Sequence, residues 1–129
     1  MNRNTEYWID TSLYDLEVAG SLLEKEHYLY VAFLCHQCVE KMLKALFVHR
    51  SKSFPPKIHN LVRLSEMTEI RSTMTDDQIL FLAELDPMNI EARYPTYKEN
   101  IRNALTRDEA AHIITMTEAF AKWVKSIIS

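Results

Sequence analysis

The sequence predicts an all-α fold, an up-and-down bundle of four to five helices. Three observations point there. Apolar residues recur at helical spacing over long stretches. Nothing alternates with period two for long enough to form a strand. The chain holds one glycine and four prolines in 129 residues, too little glycine for a fold of many hairpins. That length reads as one domain over residues 1–129, large enough to bury a core without metal or disulfide staples.

The first helix is expected over residues 5–26, with Trp8, Ile9, Leu13, Leu16, Ala19, Leu22 and Leu23 in one stripe. Gly20 weakens it by about 1 kcal/mol against alanine, and close packing is the expected compensation. The second helix is expected over residues 28–49. Its stripe runs from Val31 through Cys35, Cys38, Met42 and Leu46 to Phe47, wide enough for a central helix with neighbours on more than one side. It should end before SKSFPPK, because the residue before a proline is pushed out of the helical region.

A short helix follows His59, with Asn60 at the N-cap. Thr75 and Gln78 read as a capping box that opens a third long element, residues 79–86. Pro87 and Pro95 then bracket a stretch expected to be irregular. Thr106 and Glu109 form a second capping box. It opens the last helix, with Ala110, Ile114, Phe120, Ala121 and Val124 on one face.

No apolar run approaches the ~20 residues that cross a bilayer, and the N-terminus has no apolar signal region. The expectation is a cytoplasmic protein with no membrane partner and its two cysteines reduced. The net charge of −3 hides an asymmetry. Residues 41–65 carry six bases (Lys41, Lys44, Arg50, Lys52, Lys57, Arg63) and no acid. Such a basic island either attracts an anionic partner or complements acidic helices around it.

Cys35 and Cys38 lie about 60° apart in helical projection, but His49 is about 16 Å beyond Cys38 along the axis. A second C-x-x-C is absent from the chain. Structural zinc wants four ligands around one point, and a redox pair wants a cysteine at a helix N-terminus. Both cysteines are mid-helix in the apolar stripe, so they read as core thiols, with no metal and no cofactor expected.

The other residues of the second helix carry more information. Gln37, the pair Glu40 and Lys41, and Lys44 are followed by His59-Asn-Leu61 and by Arg93-Tyr-Pro95. This order resembles the HEPN family, helical domains often found beside minimal nucleotidyltransferases, and the resemblance covers nearly the whole chain. It implies a HEPN-like bundle that forms a homodimer and works with a nucleotidyltransferase protein, as one half of a toxin–antitoxin pair. It also implies binding of a nucleotide or RNA phosphate.

The residues allow that reading and a plainer one. Lys41 and Lys44 share a helix face with Gln37, either solvated or lining a phosphate groove. Glu40 and Lys44 form an i,i+4 pair, worth about 0.3–0.5 kcal/mol on an open helix surface. His59 either bonds loop backbone or meets the ligand. Arg93, beside Tyr94, either holds a phosphate and stacks a base or ties its loop to Glu40. Lys41, Lys44, His59, Arg93 and Tyr94 are the candidate binding residues.

Many HEPN proteins are metal-independent ribonucleases with an R-x4–6-H motif, in which a cation steadies the phosphate and an imidazole moves the proton. Counting from Arg93, the histidine would fall at Lys98, Glu99 or Asn100, so the motif is missing there. Arg107 and His112 match the spacing, but roughly one match is expected by chance. They also lie about 140° apart around a helix. The primary expectation is therefore a binding domain without an intact nuclease motif. The alternatives are a ribonuclease using Arg107 and His112, and a pure protein-interaction module.

Overall fold

The computed structural model describes residues 2–91 and 105–129. Among them are five helices of seven or more residues and no strand: α1 (Arg3–Glu24), α2 (Tyr28–Ser51), α3 (Leu61–Met67), α4 (Asp76–Leu85) and, after the short α5 (Met88–Glu91), α6 (Arg107–Ile128). One 3-10 turn, Arg71–Thr73, links α3 to α4. The all-helical fold is as the sequence predicted.

Four of the five longer helices start at a side-chain cap, and α2, after His27, does not. The Asn2 side chain accepts the Thr5 N–H at 2.8 Å to open α1, and Asn60 accepts the Arg63 N–H at 2.8 Å to open α3. Thr75 and Gln78 form the full capping box. At α6, Thr106 Oγ1 accepts the Glu109 N–H while its own hydroxyl donates to the Glu109 carboxylate at 3.1 Å. The ends reflect the scarcity of glycine. Glu26, Lys52 and Glu69 take left-handed φ values of 64°, 59° and 63°, positions that usually fall to glycine. Beyond α1, His27 N–H bonds Leu22 O and Glu26 N–H bonds Leu23 O, which is the Schellman pattern.

Helix α2 is the axis of the molecule. α1 and α6 pack on it and on each other, and α3, α4 and α5 pack elsewhere along it. Val31, Cys35, Cys38, Val39, Met42 and Leu46 are fully buried, as expected of a central helix. The α1 stripe is only partly as expected. Ile9 and Ala19 are buried, but so are Thr5, Ser12 and Asp15, while Trp8, Leu13 and Leu16 pack at the margin. Small polar groups make the close α1–α2 contact, and Ser12 Oγ donates to Cys38 O at 2.7 Å.

Two expectations need correction. A Cβ on Gly20 would meet nothing within 4 Å, so close packing does not explain this glycine. The stretch after Pro87 begins as a helical turn, Met88–Glu91, rather than irregular chain; proline is tolerated at the first turn, where its missing N–H is not needed.

The cysteines sit in the core with free thiols. Burial pushes both Cys35 and Cys38 up to about 12, partly offset by hydrogen bonds with Thr117 and Ser12 respectively. Thiols held protonated in this way are poor nucleophiles and poor metal ligands. No helix among the described residues is long and apolar enough to cross a membrane.

Candidate functional site

The face of α2 that carries Gln37, Glu40 and Lys44 does not look into open solvent. It is covered by Trp8 of α1, the loop before α3, the end of α4, and α5. Glu40 lies at the centre of a polar network. One carboxylate oxygen accepts from Lys44 Nζ at 3.0 Å, with the two side chains 5% and 8% exposed. The other accepts from His59 Nδ1 at 2.9 Å. Lys44 Nζ also lies 5.8 Å from the Trp8 ring centroid, a cation–π contact in a desolvated setting.

The sequence placed Glu40 and Lys44 on a helix surface, where such a pair is worth little. Their burial changes that. An ion pair withdrawn from water has already lost its hydration, so removing one partner strands the other and costs about 3–5 kcal/mol.

His59 differs from the groups beneath it, because its side chain is 53% exposed. A carboxylate can only accept, so Nδ1 carries the proton in this contact and Nε2 is the free ring nitrogen. The buried Glu40 therefore fixes both the tautomer and the aim of a surface imidazole. Such a group can donate Nε2–H to a phosphate oxygen when protonated, or accept a proton when neutral.

Four further residues complete the network. His36, fully buried, has Nδ1 at 3.4 Å from Gln37 Nε2 and 3.9 Å from Glu40. Its Nε2 stands 3.4 Å from Asp86 Oδ1 but has no hydrogen-bond partner among the described residues. Asp86 Oδ1 already accepts the Leu61 N–H at 2.8 Å, pinning the start of α3 to the end of α4. Gln37 Nε2 donates to Asn89 Oδ1 at 3.1 Å. Of these, Gln37 was visible in the sequence. Asp86 and Asn89 were not, because their pairing joins positions far apart and neither sits in a motif.

The sequence-selected residues thus divide. Lys44 and His59 meet at Glu40. Lys41 points elsewhere, to Asp15 of α1 at 2.7 Å, with the side chains 21% and 12% exposed. Both lysines are neutralised within the fold. Lys52, Lys57 and Arg63 remain exposed and carry no ion pair among the described residues. They flank His59 in sequence as exposed cations. Arg93 and Tyr94 lie outside the described residues. Arg107 is exposed at the start of α6. His112 lines a cleft between α4 and α6 with Asp77, Glu84, Asp108 and Glu109. No group of three or more histidine, cysteine, aspartate or glutamate side chains among the described residues is arranged to hold a metal ion.

A family model described as the HEPN domain matches residues 5–127. The chain belongs to the HEPN family. Its fold is shared by TT1696 from Thermus thermophilus, with a TM-score of 0.81 at 22% identity over 98% of each chain. ST0689, an archaeal HEPN homologue, superposes with a TM-score of 0.73 at 23% identity over the full length of both chains. No curated protein matches the chain. In this HEPN domain, Gln37, Glu40 and Lys44 of α2 form the inner wall of the polar network, with His59 as its outlet to the surface.

Proposed function

We propose that this HEPN domain binds the phosphate of a nucleotide or of RNA at the face where His59 meets the loop before α3. It acts there as a homodimer with a nucleotidyltransferase partner, in a toxin–antitoxin arrangement, and without a working R-x4–6-H nuclease motif. The observation that carries the binding site is the half-exposed His59 imidazole anchored at 2.9 Å on a buried carboxylate. Lys44 cancels the charge of Glu40, so the carboxylate orients the ring without repelling an anion. Lys52, Lys57 and Arg63 supply the surrounding field. Arg93 and Tyr94, from the family-like Arg-Tyr-Pro, are assigned to the same ligand. Lys41 and Lys44 act from behind, by holding α1 and α2 in register.

The partners rest on the family likeness. The acidic lining of the cleft that holds His112 weighs against the ribonuclease alternative, because four carboxylates of the same cleft oppose the approach of a phosphate. A thermal-shift series with ATP, GTP and short RNA tests the site. Ligand should raise the midpoint by mass action, and Arg93→Ala or His59→Ala should remove the rise. Co-purification with a minimal nucleotidyltransferase and light scattering of the free protein test the partners.

A further inference from the structure

α4 and α6 both rest on the α2 core but stand apart, leaving a cleft of about 670 Å³ between them. Phe81 and Leu85 of α4, Met88, and Ile113 and Met116 of α6 form an apolar floor. Leu80, at the lip, is 56% exposed. Asp77 and Glu84 stand on one wall and Asp108 and Glu109 on the other, all exposed, and the described residues that line the cleft include no lysine or arginine.

We propose that this cleft docks an amphipathic helix of a partner protein, apolar on the buried side and carrying lysine or arginine along both flanks. The space between two helices accepts a third by burying its apolar face. The charge selects which helix. Three of the four carboxylates have a local reason to be where they are. Asp77, Asp108 and Glu109 lie in the first turns of α4 and α6, where the helix dipole favours an acid. Glu84 lies in the last turn of α4, where the dipole disfavours one. Its place on the rim follows from a cationic partner rather than from the helix. The same rim excludes RNA, so this surface is distinct from the phosphate site and does not depend on it.

The test uses two labelled synthetic helical peptides of the same amphipathic pattern, one of leucine and lysine, the other of leucine and glutamate. Binding is read by anisotropy at physiological salt, and its location by methyl NMR of the methionines. The lysine peptide should bind and shift the Met88 and Met116 methyls, which line the cleft, leaving the buried Met42 in place. Leu80→Lys, a change at an exposed position that removes the apolar lip and repels the lysine peptide, should weaken binding by about tenfold or more. Glu84→Lys with Asp108→Lys should transfer preference to the glutamate peptide. Absent binding, equal binding of both peptides, or methyl shifts outside the cleft would overturn the proposal. So would a dimer of the protein that Leu80→Lys disperses, since a second copy would then be the occupant.

Discussion

On the face where α2 meets α3, Glu40 and Lys44 are 5% and 8% exposed and neutralise each other. Between α4 and α6, four exposed carboxylates rim an apolar floor. The first region withdraws its charges and shows the surface a single oriented imidazole. The second shows its charges and, at its lip, the exposed Leu80, above a floor of buried and half-buried apolar residues. Buried charge fixes geometry, because breaking it is costly. Exposed charge steers and selects partners at little cost to the fold.

The largest effect should come from cutting the buried pair. Glu40→Ala should lower unfolding free energy by about 3–5 kcal/mol in chemical denaturation, since it leaves Lys44 without its partner inside the fold. Glu40→Leu with Lys44→Met should recover much of the loss, because no charge is then stranded. Equal destabilisation by the single and double variants would mean that packing, not charge, sets the cost.

Next comes the alkaline limb of stability. Cys35 and Cys38 are pushed up to about 12 by burial, against about 8.5–9 in an unfolded chain. The unfolded state therefore releases these protons first as pH rises. The thiol contribution is intact below pH ~9 and is lost above it, at up to about 1.4 kcal/mol per pH unit for each thiol. Cys35→Ala with Cys38→Ala should flatten that slope in denaturation measured between about pH 8 and 11. An unchanged slope would assign it to other groups.

The smallest effect should lie at the cleft. Glu84→Gln should change stability by less than about 0.5 kcal/mol, as for surface substitutions away from buried networks. A loss comparable to that of Glu40→Ala would erase the distinction between the two regions.

The helices were legible in the sequence because their causes are local. Thr75 with Gln78 and Asn60 with Arg63 act within one turn, and the wide stripe of α2 announces a central helix. The environment of a polar residue was not legible in the same way. Glu40 and Lys44 stand four apart whether a neighbour covers them or not, and their burial depends on Trp8, the loop carrying His59, and the end of α4. Periodicity could not foresee that Ser12 and Asp15 of α1 would face the core, because small polar residues are buried only where a partner such as Cys38 O or Lys41 meets them. For His59, the motif marked the residue but not its anchor. Asp86 and Asn89 joined the network through contacts that only the folded chain creates.

The central claim is that His59 is an oriented anion contact rather than a structural histidine. It is tested most directly by comparing the native protein with His59→Ala in the thermal-shift series with ATP, GTP and short RNA. The side chain is half exposed, so the substitution itself should cost less than about 1 kcal/mol. The account predicts that at least one of these ligands stabilises the native protein and that His59→Ala, folded and nearly as stable, gains nothing from it. No stabilisation of the native protein, or the same stabilisation in both, would contradict it.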